Sequence, residues 1–174
     1  MENGLRNAWQ YHWSVMHDIQ GLIDLMGGES NFTAKLDSVF SVPNTVKVGT
    51  YGRMIHEMTE MMMIDMGQYA HGNQPVHHMI YLYNYAGQPW MTQKRIRTLL
   101  KEWFRNDLMG VPGDEDGGGM SAFVAFSSMG FYPVTPGSPT YNIGSPMFPY
   151  VKMTLSNGKI FEIIAENCSD ENKY

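Results

Sequence analysis

The sequence predicts a mainly α-helical chain that closes in a short β-hairpin region. Three observations predict it. Apolar residues recur at intervals of three and four along much of residues 1–130, which is the period of a helix with one buried face. Pro133, Pro136, Gly137, Pro139, Gly144, Pro146 and Pro149 then forbid long helices. Finally, residues 151–155 and 160–164 flank Ser156-Asn157-Gly158-Lys159, a hairpin signal. The chain therefore divides into a helical part, 1–130, and a Pro/Gly-rich part with a hairpin, 131–174.

Val15, Met16, Ile19, Leu22, Ile23 and Met26 predict a first helix over 13–26, stopped by Gly27-Gly28. His12 and His17 are five apart and read as ordinary polar positions. Ser30 or Asn31 can cap a second helix carrying Phe32, Leu36, Val39 and Phe40, ended at Pro43-Asn44. A third helix is expected over 53–66, its buried side filled by Met54, Met58, Met61, Met62, Met63 and Met66. Residues 68–78 then form a polar, breaker-rich loop of the kind that serves a ligand pocket. Its neighbours His77 and His78 cannot share a face of a regular element, so one is expected buried and the other facing the pocket.

Helix resumes to about Tyr85 and breaks at Gly87-Gln88-Pro89. Over 89–107, Ile96, Leu99, Leu100, Trp103 and Phe104 mark an apolar side, and Lys94, Arg95, Arg97, Lys101 and Glu102 a solvated one. A compact helix of small residues and phenylalanine follows over 120–129. A lone hairpin is marginal in water, so the closing segment reads as part of something larger.

Composition removes several functions. Seventeen acidic against twelve basic side chains, with no basic stripe, make nucleic acid and anionic membranes poor partners. Cys168 is the single cysteine, which excludes an internal disulfide and any Cys-x-x-Cys metal site. No apolar run approaches the roughly twenty residues of a membrane span, and residues 1–6 lack the apolar region of a signal peptide. Numerous aromatics, Trp9 and Trp90 among them, suit sugar faces as well as cores.

The chemistry-bearing stretch is Gly113-Asp114-Glu115-Asp116-Gly117-Gly118. Adjacent carboxylates repel, and glycine neighbours permit unusual φ/ψ and close approach to a ligand. Such a run is either a solvated acidic turn or a catalytic loop, with carboxylates at i and i+2 addressing one water or one metal ion. His56-Glu57 is not a zinc-protease motif, because Glu60 stands where the second histidine is required.

Asn7-Ala8-Trp9-Gln10-Tyr11, Gly72-Asn73-Gln74-Pro75, Tyr83-Asn84-Tyr85-Ala86-Gly87-Gln88-Pro89-Trp90, Gly113-Asp114-Glu115-Asp116 with Met120-Ser121-Ala122, Gly130-Phe131-Tyr132-Pro133 and Ile143-Gly144-Ser145-Pro146 occur in that order. Together they resemble the C-terminal part of the calcium-dependent exo-α-mannosidases of glycoside hydrolase family 92. The resemblance implies roughly the second half of an (α/α)6 toroid, whose first half and largely β N-terminal domain are absent here. It implies an inverting hydrolysis of terminal mannosides on glycans, in which an acid and a base stand roughly 6.5–9.5 Å apart to admit water.

Carried over by position, Asp116 is the expected base and Asp114 its assistant. His56 and Glu57 fall where the family contacts the leaving sugar and favours an α-1,2 linkage. Trp9, Gln10 and His78 complete the expected substrate contacts, and Gln74 and Asn73 the expected calcium ligands. Family kinship also implies export to the periplasm or the exterior of a bacterium.

Two departures stand out. The acid glutamate of the family aligns with Leu5, which cannot donate a proton, and Glu2 is out of register with it. Gln74 replaces a glutamate, which keeps an oxygen ligand but removes a charge and weakens the expected calcium affinity. The sequence therefore leaves open an impaired mannosidase, a catalytically silent mannose- or calcium-binding module, and a truncation with no role of its own.

Overall fold

The computed structural model describes residues 7–108 and 110–171. In chain order the helices are α1 (Ala8–Tyr11), α2 (Ile19–Leu25), α3 (Glu29–Ser41), α4 (His56–Ile64), α5 (Pro89–Trp103) and α6 (Gly119–Met129), with short 3-10 structure at Gly49–Tyr51 and a long 3-10 rod at Gln74–Ala86. The strands are β1 (Phe131–Tyr132), β2 (Asn142–Ile143), β3 (Tyr150–Thr154) and β4 (Ile160–Ile164). Mainly helical structure with a few short strands is thus what forms.

The first predicted helix is shorter than its apolar period suggested. Asp18 caps α2 by accepting from the Gly21 amide at 2.9 Å, so residues 13–17 turn instead of continuing the helix. Gly27 and Gly28, both at positive φ, close α2 with amides donated to Asp24 and Ile23, the crossed pair of a Schellman end. Asn31 does not cap α3, which starts after Gly28; its side chain instead donates to the Met26 carbonyl at 3.1 Å. Methionine packing in α4 is only half as expected. Met58, Met61 and Met66 are buried, whereas Met54, Met62 and Met63 are exposed, because the helix begins at His56 and turns a second side to solvent.

The rod Gln74–Ala86 is the centre of the core. Val76, Met79, Ile80, Tyr81, Leu82 and Tyr83 are all within two per cent of complete burial. Isolated 3-10 runs this long are uncommon, and here neighbouring elements supply what the rod's geometry leaves unmet. Thr92 Oγ1 donates to the Ile80 carbonyl at 2.9 Å. Tyr81 and Ser127 share a hydrogen bond of 2.8 Å, and the Tyr83 hydroxyl donates to Asp37 at 2.7 Å. His77 and His78 are both buried, against the expectation of one in a pocket; their Nε2 atoms meet the His71 and Trp13 carbonyls at 3.1 and 2.7 Å.

Helix α5 covers the rod. Its charges are not all solvated as predicted. Arg97 is five per cent exposed and binds the Pro146 carbonyl at 2.6 Å, the Ser169 carbonyl at 3.1 Å and Asp170 at 3.1 Å. Arg95 pairs with Asp37 at 2.9 Å and lies 3.9 Å over the Phe40 ring. Guanidinium groups take such places because their planar forks bond several oxygens at once.

Strands β1 and β2 pair antiparallel, Phe131 opposite Ile143, and dock on the rod through the stacked rings of Tyr81 and Tyr132. The predicted hairpin forms as β3 and β4, with Val151 opposite Ile163 and Met153 opposite Phe161. Gly158, at positive φ, and the Asn157 side chain make its turn. Between α6, the β1–β2 pair and the hairpin runs an apolar groove of about 800 Å³, lined by Phe126, Met129, Phe131, Tyr141, Met153 and Phe161.

Replacing Arg97 by leucine removes its hydrogen bonds to the Pro146 and Ser169 carbonyls and its ion pair with Asp170. Urea denaturation is expected to show a loss of about 2–4 kcal/mol, and limited proteolysis an earlier cut within 146–170. A second prediction concerns pH. Burial holds the His77 pKa down at about 4 and also lowers those of His71 and His78, so the unfolded chain binds their protons first. The stability these histidines contribute is complete above their ordinary value near 6.5 and is lost as pH falls toward 4. Melting temperature is expected to drop progressively through that window, each histidine contributing up to about 1.4 kcal/mol per pH unit.

Candidate active site

Three segments converge on one place. Helix α4 presents His56, Glu57 and Glu60 from its first turns. The loop before the rod supplies Gly72, Asn73 and Gln74, and the loop before α6 supplies residues 113–118. The two loops touch backbone to backbone at their glycines. A Cβ on Gly113, whose φ is +74°, would stand 2.3 Å from the Gly72 oxygen, and one on Gly72 would stand 3.1 Å from the Gly113 α-carbon. Gly113 needs glycine for that approach, and a side chain at Gly72 would press on the Glu60 carboxylate and the Gly113 backbone.

Each crossing glycine precedes chemistry-bearing residues. Asp114 Oδ2 lies 3.5 Å from His56 Nε2, and His56 Nδ1 lies 3.3 Å from Glu57 Oε2. Gln74 Nε2 donates to the Asp114 carbonyl at 2.5 Å. The structure therefore brings His56, Glu57, Gln74 and Asp114 together. Asp116 follows on the same loop, exposed and in the left-handed region at φ 49°, a conformation aspartate tolerates better than most side chains.

Glu115, between them, does different work. Its Oε1 accepts from the Ser121 amide at 2.8 Å and its Oε2 from the Gly118 amide. These bonds, Ser121's foremost, hold its carboxyl below the usual range. It is the cap of α6, where a negative charge also suits the helix dipole. The sequence reading did not separate Glu115 from its neighbours; the available signal was an acid just ahead of an apolar helix.

Glu60 was also missed. Burial raises its pKa, an effect opposed by His56 and by the Gly113 amide. Its Oε2 and Asn73 Nδ2 are buried without a hydrogen-bond partner among the described residues, and Glu57 Oε2 is buried beside His56. Turned over, the Asn73 amide offers Oδ1 to the same space. With Gln74 and the three carboxylates nearby, this oxygen-rich set fits a hard cation such as calcium. His56, Glu57 and Asp114 each place a ligand-capable atom within 4.8 Å of the others.

The remaining expected site residues make other contacts. Trp9 is half-buried with the Lys35 ammonium 4.0 Å over its ring. Gln10 is buried and donates to the Gln68 carbonyl at 3.0 Å. His78 is held by Trp13 as described. No described contact joins these three to the His56–Asp114 cluster. Leu5 and Glu2 lie outside the described residues.

Comparison with known proteins gives the family. The glycosyl hydrolase family 92 catalytic domain matches residues 5–174. A family GH92 alpha-mannosidase of Bacteroides thetaiotaomicron superposes with a TM-score of 0.78 at 40% identity, over 95% of this chain and 20% of its own. A family GH92 inverting mannosidase of the same species gives 0.75 at 52% identity, over 94% and 22%. An uncharacterized secreted glycosidase of Arthroderma benhamiae is 32% identical over 145 residues, which are 83% of this chain and 16% of that protein. The chain thus spans about a fifth of the length of these relatives. With its motifs in order, its fold shared and the matched domain running from residue 5 to residue 174, the chain belongs to glycosyl hydrolase family 92.

Proposed function

We propose that this chain is part of an inverting exo-α-mannosidase that removes terminal, α-1,2-linked mannose from glycans. The observation that carries the reading is the meeting of three segments: Asp114 lies 3.5 Å from His56 and its carbonyl accepts from Gln74. Solved relatives described as an alpha-mannosidase and an inverting mannosidase support it. Residues 1–130 belong to the later half of an (α/α)6 toroid, and 131–174 to β structure completed by the rest of a longer protein. Such a protein is exported, in keeping with the secreted relative.

Asp116 takes a proton from the attacking water, and Asp114 orients that water while pairing with His56. His56 and Glu57 contact the leaving sugar. Asn73 and Gln74, with the buried oxygens of Glu57 and Glu60 nearby, would hold calcium. When bound, the ion supplies a template for vicinal hydroxyls of mannose and Lewis-acid stabilisation. Leu5 leaves the leaving oxygen without a proton donor, so hydrolysis of ordinary glycosides is impaired. That same leucine favours a second reading, a mannose- and calcium-binding module without turnover.

Hydrolysis of an α-1,2-mannobiose and of an activated aryl mannoside, each with calcium and with chelator, tests both. The aryl substrate needs little acid help and is expected to react while the disaccharide reacts slowly. Asp116→Asn is expected to lower that rate by about 10²–10⁴-fold, the scale of general-base assistance. Stabilisation by calcium and mannose with no turnover of either substrate establishes the binding module instead.

A further inference from the structure

Glu60 has no catalytic part in the mechanism above, yet it sits where all three segments of the site meet. It leaves α4 one turn beyond His56. Its Oε2 lies 2.9 Å from the point where a Gly72 Cβ would stand, and the Gly113 nitrogen lies 3.2 Å from that same point. Burial raises its pKa, and His56 and the Gly113 N–H are the groups that favour the charged form; its Oε2 is buried. Burying a carboxylate is unfavourable unless such groups compensate it. An apolar side chain would fill this place at less cost, so the carboxylate's contribution is to hold its neighbours.

We propose that Glu60 is a positioning residue: its carboxylate clasps the Gly72/Gly113 crossing and thereby fixes the Asn73/Gln74 loop, the Asp114/Asp116 loop and the His56/Glu57 turn of α4 in one arrangement. What those loops do rests on the mannosidase reading; the clasp itself does not. Two features separate it from a general stabilising role. It requires reach, so that aspartate, shorter by one methylene, cannot substitute. It requires an acceptor, so that glutamine can.

The test compares the full chain with Glu60→Gln, Glu60→Asp and Glu60→Ala. Amide exchange over 113–116 and calcium affinity by calorimetry are read beside the melting temperature. Glu60→Asp and Glu60→Ala are expected to speed exchange and weaken calcium binding by about tenfold, the scale of one lost charged hydrogen bond. Glu60→Gln should stay close to the parent in exchange, and melting temperatures should differ little. Unchanged exchange in Glu60→Asp, or a Glu60→Gln that exchanges like Glu60→Ala, overturns the clasp. If the parent itself binds no calcium while the exchange pattern holds, the clasp stands and the calcium assignment falls.

Discussion

The structure depends on the burial of one continuous segment, the 3-10 rod Gln74–Ala86. Its side chains point outward in three directions and nearly all of them meet protein, and α2, α3, α5, α6 and β2 all dock on it. A 3-10 helix rises about 2.0 Å per residue, which carries this rod further through the core than an α-helix of equal length. Polar groups along it are met from α5, α6 and α3 in turn, by Thr92, Ser127 and Asp37. Because the rod begins at Gln74, its rigidity is passed directly to one side of the site.

The other side is held more lightly. Residues 113–118 form a largely exposed loop held by the glycine contact with Gly72, the Gln74 amide on the Asp114 carbonyl and the capping carboxylate of Glu115, beside the Glu60 clasp. One of three adjacent acids is thus committed to the helix, which lowers the repulsion that the remaining pair must bear. Asp114 and Asp116 stay exposed.

Much of the fold was legible. Helices α3, α5 and α6 and the hairpin follow from periodicity, from Gly27-Gly28 and Pro89, and from Asn157-Gly158. What could not be read has physical causes. Trp13 and Val15 fit a helical period, but Asp18 captured the helix start by capping it. Arg97 looks solvated by its charge, yet carbonyls from residues 146 and 169 reach it only through tertiary structure. The site was legible where a motif places a residue on a loop, as for Asp114 and Gln74. It was not where a helical residue acts through a distant backbone, as Glu60 does. Several of the motifs that identify the family are packing devices: Asn84 bonds the Ile143 carbonyl, Gly130 lies under Pro146, and Gly144 fits against Tyr81.

The crossing of Gly72 and Gly113 has a consequence for how such a chain can vary. Two positions forty-one residues apart in sequence share one volume: a carbon added at Gly113 would overlap the Gly72 backbone, and one added at Gly72 would press on Gly113. Neither loop can therefore drift alone. Lineages are constrained to alter the two loops together, or to place their diversity in side chains beyond the glycines.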